Sequence, residues 1–566
     1  MENIDIKSQF PLGELLIEKG IISREQLNQA LKKQKETGGR IGTILLEMGF
    51  VDEETVFLPI VAGQQNVVFV NLKDINIAID AVNKIPAKFA IHYKVMPYEF
   101  KNNNLSIATS HPTDVHMLDE VGLVVNCQLN PVLASEKDIM EAIRKYYGVG
   151  AETIEQMMGT VSQTNVSAGE VTELDEIESE ASISKFLNQI LLEAYRDRAT
   201  DIHIEPFEDA LHIRYRIDGL LYDAKVPKNI KHFKDFINSR IKILANLNIA
   251  EKRVPQDGRF KVRVQGVDID LRVSFIPTPY GESVVLRILN ATSLYSFDQL
   301  GLSSDEREIL EELIERPHGI VFLTGPTGSG KTTTLYACLT KINTEDTKII
   351  TIEDPIEYQL KGITQIQVNP KVGLTFAQGL RSMLRHDPDI MMVGEVRDIE
   401  TAEIAIQSAL TGHLMFSTLH TNDAAGGVAR LLDMGVEPFL ITSTVECFIA
   451  QRLIRLVCPK CKTTIKATAE ILKDFGENPQ SQVSLSEGQG CEDCKFTGYS
   501  GREGIYEFLL VNEAVRDLVM RHATAQEIKE KAMEQGMKTL RQAGWEKVKA
   551  GKTTVQEIIR VTQEED

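Results

Sequence analysis

The sequence predicts a multidomain α/β protein whose last domain contains a mostly parallel sheet. The first observation is the segment "HGIVFLTGPTGSGKTTTLYACL", in which a short apolar strand, a glycine-rich turn and a helix follow one another. The second is that strands and helices alternate from about residue 300 onward, as they do in parallel sheets. The third is the length of 566 residues, which is long for a single hydrophobic core and predicts several domains.

The composition is that of a globular protein, with 43% hydrophobic and 25% charged residues. The formal net charge of -19 argues against broad binding to nucleic-acid backbones, which depends on clustered Lys and Arg. The N-terminal "MENIDIKSQF" lacks the basic and then apolar pattern of a secretory signal. No apolar stretch approaches the roughly 18–20 residues that a bilayer requires. We therefore expect a cytoplasmic protein without a stable nucleic-acid partner.

An internal repeat opens the chain within residues 11–64. The segment "PLGELLIEKGIISREQLNQALKKQ" recurs as "RIGTILLEMGFVDEETVFLPIVAG". Each unit predicts two helices, the first ended by Gly20 or Gly49 and the second capped by Ser23 or Asp52. An α/β part follows, with strand-like "NVVFVNL" and "NLSIATS" and a helical "SEKDIMEAIRKYYG".

An acidic segment separates this N-terminal domain from the rest, and it holds no Lys or Arg between Tyr146 and Ser184. Such a segment buries little apolar surface, so we predict a flexible linker. Strands and helices resume beyond it and predict a middle α/β domain. The predicted segments are the N-terminal domain at 1–147, the linker at 148–182, the middle domain at 183–290 and a C-terminal domain at 300–566 with a cysteine element at 455–504.

The glycine-rich turn has the spacing of a P-loop, and it lies between a strand and a helix as that motif requires. Its glycines allow backbone N–H groups to converge on phosphate oxygens at the N-terminus of the helix. Lys331 is expected to reach the β- and γ-phosphates of ATP, and the Thr332 hydroxyl to bind Mg²⁺. The predicted nucleotide-binding residues are Gly325, Pro326, Thr327, Gly328, Ser329, Gly330, Lys331, Thr332 and Thr333.

Acidic residues and histidines follow further apolar strands of the same domain. "DPDIMMVGEVRD" predicts a buried strand with Glu395 at its carboxyl edge, where a carboxylate can orient attacking water. "KIITIEDPIEY" predicts a second strand with acids at its carboxyl end, where Glu353 or Glu357 would support the metal or the water. Alternatively, the acids there only cap the next helix. "TGHLMFSTLHTNDA" adds a strand flanked by His413 and His420, for which phosphate sensing and a structural role both stay open.

Four cysteines form two pairs, "CPKC" and "CEDC". Repeated C-x2-C pairs in a chain expected in the cytoplasm favour tetrahedral Zn²⁺ over disulfides. Four thiolates leave no open position on the metal, so such a site would be structural, and two reduced pairs without metal are the alternative. The predicted ligands are Cys458, Cys461, Cys491 and Cys494.

Together these motifs resemble those of the assembly ATPases of type II secretion and type IV pili, over nearly the whole chain. The resemblance rests on "GPTGSGKT", "TIEDPIEY", "IMMVGEVRD" and "TGHLMFSTLHT", with "TDIHIEP", "RYRIDG" and "RVPQDGRF" in the middle domain. It implies a RecA-like ATPase domain in a homo-hexamer, with ATP held at the joints between subunits. It also implies a tetracysteine element, which the retraction ATPases of pili lack. An arginine finger from the middle domain is implied as well, with Arg240, Arg253 and Arg259 as candidates, although in so acidic a chain each could equally form a structural ion pair.

The N-terminal repeat resembles the cyclic di-GMP-binding domain found on some of these ATPases, whose units begin with Arg-Leu-Gly and end with Gln. Here Pro11 replaces the leading arginine of the first unit, and Gly63 occupies the last position of the second. A docking module for an inner-membrane partner is the alternative interpretation. The contacts that the resemblance implies for cyclic di-GMP are Leu12, Gly13, Gln34, Arg40, Ile41, Gly42 and Asp114.

The function implied by the resemblance is hydrolysis of ATP to power pilus extension or type II secretion. The protein would be recruited to the inner face of the inner membrane by a platform protein. Two other functions stay open. One is a nucleic-acid transport motor, which the acidic charge opposes. The other is a nucleotide-sensing adaptor with little turnover.

Overall fold

The computed structural model describes residues 12–18, 20–38, 41–51, 58–65, 67–148, 150–151, 153–154, 173–289 and 296–562. The chain divides into two compact units, Met1–Ile288 and Leu289–Asp566. Within the described ranges, no helix combines the length and the apolarity that crossing a bilayer demands.

The N-terminal repeat folds as short helices around one small core. Gly20 and Gly49 follow the first helix of each unit with φ angles of 70° and 68°, as expected of glycines that end helices. Leu16 and Leu45 occupy equivalent repeat positions, and both are fully buried. The predicted capping box at Ser23 is present. The helices are α1 (Leu12–Glu18), α2 (Arg24–Thr37), α3 (Ile41–Glu47) and α4 (Leu58–Gln65).

A small sheet with helices completes the N-terminal part. The predicted strand "NVVFVNL" does not form, because Phe69 makes one isolated bridge to Leu133 and Asn71 caps a helical turn by accepting from the Lys73 N–H. The second predicted cap of the repeat, Asp52, lies outside the described residues. The elements are α5 (Ile79–Val82), α6 (Ala87–Tyr93), β1 (Val95–Lys101), β2 (Asn104–Thr109), α7 (Val115–Val125), β3 (Gln128–Leu133) and α8 (Glu136–Tyr147), with β2 antiparallel to β1 and parallel to β3.

The segment 148–182, predicted as a flexible linker, is partly ordered. Helix α9 (Glu173–Arg196) begins inside it, because Glu, Leu and Ala residues that favour helices continue the helix toward the N-terminus. Ile154 is 2% exposed and belongs to the core of the middle part. The linker prediction is therefore wrong at both ends, where Ile154 and the start of α9 are ordered. Residues 155–172 lie outside the described residues.

The middle part is an antiparallel sheet packed with helices α9 and α10. Among the described residues its strand order is β6-β5-β4-β9-β8-β7, and β4 pairs antiparallel with both β5 and β9. The helices and strands share one apolar core. The elements are β4 (Asp201–Pro206), β5 (Leu211–Ile217), β6 (Leu220–Asp223), α10 (Lys234–Leu244), β7 (Gln256–Val264), β8 (Val267–Thr278) and β9 (Gly281–Leu289).

The second unit contains the mostly parallel sheet that the sequence predicts. Its strand order over the described residues is β12-β11-β13-β14-β10-β15-β18, and of these strands β18 runs antiparallel, against β15. The first elements are α11 (Ser304–Ile314), β10 (Gly319–Thr324), α12 (Lys331–Ile342), β11 (Ile349–Glu353), β12 (Thr364–Gln367), α13 (Phe376–Met383), β13 (Ile390–Val393), α14 (Ile399–Leu410) and β14 (Leu414–Leu419).

Helices cover the sheet and cores lie on both of its faces. Strand β15 begins a long strand pair with β18, and a two-stranded sheet of β16 and β17 is inserted between them in sequence. The remaining elements are α15 (Ala424–Asp433), α16 (Pro438–Thr444), β15 (Val445–Val457), β16 (Lys462–Lys466), α17 (Ala469–Asp474), β17 (Ser484–Gly488), β18 (Tyr499–Leu510), α18 (Glu513–Met520), α19 (Ala525–Glu534), α20 (Leu540–Lys549) and α21 (Val555–Thr562).

The parallel strands bring the predicted site residues to one edge of the sheet. β11, β13, β14 and β10 are neighbours and run in the same direction, so their carboxyl ends meet. Glu353 is the last residue of β11, Glu395 follows β13, His420 follows β14 and the P-loop follows β10. This edge is the candidate active site.

Candidate active site

The P-loop between β10 and α12 has a backbone that requires glycine. Gly325, Gly328 and Gly330 have φ angles of 146°, 81° and 91°, which L side chains rarely adopt. A Cβ on Gly325 would lie 2.7 Å from the carbonyl oxygen of Gln451 and from Ser329 Oγ. Gly330 is the N-cap of α12, so the loop ends where the first N–H groups of the helix are free to bind an anion.

Two polar groups of the P-loop are buried in a way that suits an anionic ligand. Lys331 is 8% exposed, and its ammonium donates to the carbonyl oxygens of Gly325 at 2.6 Å and Pro326 at 3.1 Å. The Ser329 hydroxyl is buried, and no partner for its Oγ is found among the described residues. Neutral carbonyls satisfy the donors of the ammonium, and the charge of the Glu395 carboxylate offsets only part of the cost of burying it, because the pKa of Lys331 is still lowered. Phosphate oxygens would supply both the counter-charge and a partner for the hydroxyl.

The remaining predicted P-loop residues surround this pair. Thr332 and Thr333 are half-buried in the first turn of α12, and the next hydroxyl, of Thr334, donates to Gln451 Oε1 at 3.0 Å. Pro326, Thr327 and Gly328 form the exposed tip of the loop. The helix is thus fixed to β15, while the Thr332 hydroxyl stands where the P-loop motif expects a Mg²⁺ ligand.

Glu395 and His420 are brought together at the sheet edge. The Glu395 side chain is 10% exposed, and its carboxylate accepts from Arg397 at 2.5 Å and lies 3.2 Å from His420 Nε2. The carboxylate raises the pKa of the Arg397 guanidinium. A buried acid between two polar partners is well placed to hold a water molecule against a phosphate.

His413, the other histidine of this strand, does not join the site. It precedes β14, which is six residues long, so about 20 Å of strand separates it from His420 at 3.3 Å per residue. Its Nδ1 lies 2.9 Å from the Ser408 carbonyl oxygen. The structural interpretation holds for His413.

Glu353 is surrounded by donors from three elements. Its carboxylate accepts from the Thr351 hydroxyl at 2.5 Å, from the Gln365 amide at 3.1 Å and from the Tyr336 hydroxyl. Burial, together with the Glu353 charge, raises the pKa of Tyr336, so this hydroxyl stays protonated and donates. Glu357 is half-buried, and its backbone N–H contacts the Tyr336 oxygen at 3.4 Å. Glu353 therefore ties α12 to β11 and β12.

The candidate arginine fingers differ in their surroundings. Arg253 makes a two-pronged contact with Glu251, at 3.0 and 2.7 Å, and Arg259 makes one with Asp270, at 2.9 and 2.8 Å. The Nε of Arg240 is buried, and no hydrogen-bond partner for it is found among the described residues. Two of the three candidates are thus held by acids of their own module.

Sequence reasoning missed Gln451 and Arg452, which lie on β15 beside the P-loop. Arg452 is 7% exposed, and it donates to the carbonyl oxygens of Gln451 at 3.2 Å and Asn422 at 2.7 Å. The signal was available, since "CFIAQRLI" places two polar residues inside an apolar strand, and a buried arginine is rare.

The four paired cysteines converge on one point. Their sulfur atoms all lie within 4.8 Å of one another. Cys458 and Cys491 are 3.8 Å apart, Cys461 and Cys494 are 3.8 Å apart, and Cys491 and Cys494 are 3.7 Å apart. A tetrahedral metal with sulfur ligands at about 2.3 Å requires sulfur separations of about 3.8 Å. The four thiols therefore fit a tetrahedral metal ion better than two disulfides, whose sulfurs are about 2 Å apart.

Backbone N–H groups support the thiolate form of Cys494, whereas burial raises the pKa of Cys461 to about 12. The N–H groups of Cys491 and Gly498 donate to Cys494 Sγ at 3.2 and 3.3 Å. Burial raises the pKa of Cys494, but these hydrogen bonds outweigh it and hold that pKa at about 6. Cys458 follows the last residue of β15, and its N–H donates to the Gly498 carbonyl at 2.9 Å.

In the N-terminal repeat, packing accounts for one predicted ligand contact. A Cβ on Gly13 would lie 2.6 Å from Leu27 Cδ1, so a larger residue there would require the Leu27 side chain to move. The other contacts predicted in the repeat are Gln34 on α2, Ile41 and Gly42 on α3, and Arg40 and the side chain of Leu12, which lie outside the described residues.

Asp114 lines a cavity of about 360 Å³ in the α/β part that follows the repeat. Its carboxylate also caps α7 by accepting from the Met117 N–H at 3.2 Å. His92, His111 and Lys94 are among the other residues of the cavity wall. The cavity has the size of a small-molecule site, and polar and charged side chains form most of its wall.

Comparison with known proteins is consistent with this geometry. Residues 176–560 match the family described as "Type II/IV secretion system protein", and residues 65–153 match the MshEN domain. The chain is 41% identical over 557 residues to the type IV pilus assembly ATPase PilB of Myxococcus xanthus, covering 97% of this chain and 98% of that protein. It is also 41% identical over 564 residues to the type II secretion system protein E of Xanthomonas campestris pv. campestris, which covers 97% of this chain and 98% of that protein.

A solved structure shows the same fold. The X-ray structure of the Legionella pneumophila ATPase DotB has a TM-score of 0.50 and 23% identity, and it covers 67% of this chain and 96% of that chain. This similarity confirms the α/β fold with a P-loop ATPase domain that the sequence predicts. The MshEN match includes Asp114 but begins after the helical repeat.

The P-loop lysine generates a pH-dependent prediction. Burial, with a smaller contribution from the Arg452 charge, lowers the pKa of Lys331 from 10.5 to about 8. A phosphate favours the ammonium, so binding takes up a proton wherever the free lysine is neutral. The affinity for ADP should be constant from pH 7.5 to about 8, and above that it should fall by up to about tenfold per pH unit.

Isothermal titration in buffers of different ionisation enthalpy measures this proton uptake directly. In the Lys331→Arg variant, any remaining affinity should not depend on pH, because arginine keeps its proton. An ADP affinity that stays level up to pH 9.5 in the wild type would contradict the prediction.

Proposed function

The chain belongs to the type II/IV secretion system protein family, whose named relatives are ATPases, and from this we propose that it is the hexameric motor of a pilus or secretion apparatus. ATP hydrolysis would power the addition of pilin or pseudopilin subunits at the inner membrane. The observation that carries the proposal is the convergence of the P-loop, Glu395 and His420 on one sheet edge.

Each residue of this edge has a role that its contacts support. Lys331 exchanges the carbonyls of Gly325 and Pro326 for phosphate oxygens, and the Ser329 hydroxyl gains a partner. Glu395 orients the attacking water and accepts its proton. When Mg²⁺ is bound by Thr332, it would neutralise charge on the β- and γ-phosphates. Glu353 holds α12 against β11 and β12 rather than binding metal, because its carboxylate already accepts hydrogen bonds from all three elements.

The arginine finger is proposed to come from the middle part of another subunit. The candidate arginines and the P-loop belong to different compact units of the chain, which suits a site completed at a joint between subunits. Arg240 is favoured among the three, because Arg253 and Arg259 already have acid partners. Recruitment to the membrane would occur through a platform protein.

Two further ligands belong to the proposal. The sulfur separations support a structural Zn²⁺ held by the four cysteines. The MshEN match and the cavity beside Asp114 support cyclic di-GMP binding by the N-terminal part. The zinc would hold the fold of the second unit, and the dinucleotide would regulate the motor.

Replacing the water-orienting acid tests the motor function. Glu395→Gln keeps the shape of the side chain but removes the base, so phosphate release should fall at least about 100-fold while a non-hydrolysable ATP analogue still binds. Glu403→Gln, an exposed acid on α14, is the matched control and should turn over normally. Unchanged turnover in Glu395→Gln would contradict the proposed role. Unimpaired pilus or secretion activity in that variant would favour the sensing adaptor.

The zinc proposal is tested by elemental analysis. Wild-type protein should carry about one zinc per chain, and Cys458→Ser should lose it, with a fall of at least about 5 °C in the melting temperature. The half-buried Cys127 offers a control, since Cys127→Ser should keep the metal. Protein purified without chelator and found free of zinc would refute the assignment.

Cyclic di-GMP binding is tested at Asp114 by calorimetry. Asn caps helices as well as Asp, so Asp114→Asn keeps α7 intact while removing the negative charge. We expect cyclic di-GMP affinity to fall about 10-fold or more. Asp119→Asn, an exposed position on the same helix, should bind as the wild type does. Equal affinities for the wild type and Asp114→Asn would remove Asp114 from the site.

A further inference from the structure

We propose that Arg452 contacts the terminal phosphate of ATP as a second cation supplied by the same chain as the P-loop. This inference rests on the nucleotide site proposed above and adds a residue to it. It is independent of the arginine donated by a neighbouring subunit.

The register of the sheet places Arg452 beside the P-loop. β15 runs parallel to β10, and Ala450 lies opposite Thr324, the last residue of β10. β15 therefore continues past the point where the chain leaves β10 and turns into the P-loop. Gln451 and Arg452 occupy this extension, with their side chains on opposite faces of the strand.

Contacts on one side join Arg452 to the start of the P-loop. Its Nη1 donates to the Gln451 carbonyl oxygen at 3.2 Å. The same oxygen would lie 2.7 Å from a Cβ on Gly325, whose carbonyl accepts from the Lys331 ammonium at 2.6 Å. A short series of contacts thus connects the guanidinium to the lysine that binds phosphate.

Contacts on the other side join Arg452 to the segment after β14. Its Nη2 donates to the Asn422 carbonyl oxygen at 2.7 Å. Asn422 follows His420, whose Nε2 lies 3.2 Å from Glu395 Oε2. The guanidinium therefore ties β15, the strand beside the P-loop, to the segment after β14 that begins with His420. A residue in this position is suited to contact the terminal phosphate.

The charges explain why a phosphate should bind here. Arg452 and Lys331 are 7% and 8% exposed, and the charge of Arg452 opposes that of Lys331, while the Glu395 carboxylate attracts the lysine. Two buried cations near each other repel, and an anion between them relieves that repulsion. The planar guanidinium matches the spacing of two phosphate oxygens, which an ammonium cannot do. A purely structural tie between the two loops is the competing explanation.

The test compares ADP with a non-hydrolysable ATP analogue in the full-length protein. In Arg452→Gln, ADP affinity should stay within about threefold of the wild type, while the extra affinity given by the γ-phosphate is lost. The rate of phosphate release should fall at least about 100-fold, as for other arginines that stabilise the transferring phosphoryl group. Arg452→Lys keeps the charge but not the two-pronged geometry, so its rate of phosphate release should lie between those of the wild type and Arg452→Gln. Arg521→Gln, an exposed arginine of the same unit, should behave as wild type.

Several outcomes would overturn the inference. An unchanged rate in Arg452→Gln would do so, as would an equal loss of affinity for ADP and for the ATP analogue, since that is the signature of a structural tie. If Arg452→Gln does not fold, Arg452→Lys decides, because full activity in that variant would exclude a role for the two-pronged geometry. Failure of the wild type to bind ADP, or binding unaffected by Lys331→Ala, would instead refute the nucleotide site itself.

Discussion

Two buried cations, the Lys331 ammonium and the Arg452 guanidinium, lie at the carboxyl edge of the parallel sheet, and much of the second unit serves to hold them there. Burying two like charges near each other is unfavourable, and burial together with the charge of Arg452 lowers the pKa of Lys331 even though the Glu395 carboxylate attracts it. The glycines of the P-loop permit the close approach of Gly325 to Gln451 that brings the two charges near each other. The edge is therefore organised for an anion, and nucleotide binding relieves an electrostatic cost that the fold itself imposes.

The two acids of this edge show how environment assigns roles to identical side chains. Glu353 accepts hydrogen bonds from hydroxyl and amide groups of α12, β11 and β12, and these bonds hold the three elements together. Glu395 has Arg397 and His420 as partners, and both extend toward solvent from an otherwise buried carboxylate. A carboxylate whose partners can move is suited to handling water, whereas one fixed by buried donors is suited to positioning.

The sequence predicted those features that depend on residues close together in the chain. The P-loop follows from a local spacing, β13 from its uninterrupted apolar run, and the cysteine cluster from two short motifs. The polar pair in "CFIAQRLI" marks Arg452 as unusual, but its place beside the P-loop could not be predicted in this way, because it arises only when β15 aligns with β10. His413 and His420 look alike in sequence, and only the direction of β14 separates them. "NVVFVNL" has a strand-like composition, yet Asn71 turns the chain before a ladder can form.

The long pairing of β15 with β18 links the cysteine cluster to the phosphate edge. Cys458 directly follows β15, and Cys494 shortly precedes β18, so the cluster joins the strands at one end. Side chains alternate between the faces of a strand, so a slip of one residue would exchange the positions of Gln451 and Arg452. A link between the strand ends would oppose this slip. A metal ion bound by the four cysteines would therefore hold the register of β15 against β18, and with it the position of Arg452 beside the P-loop.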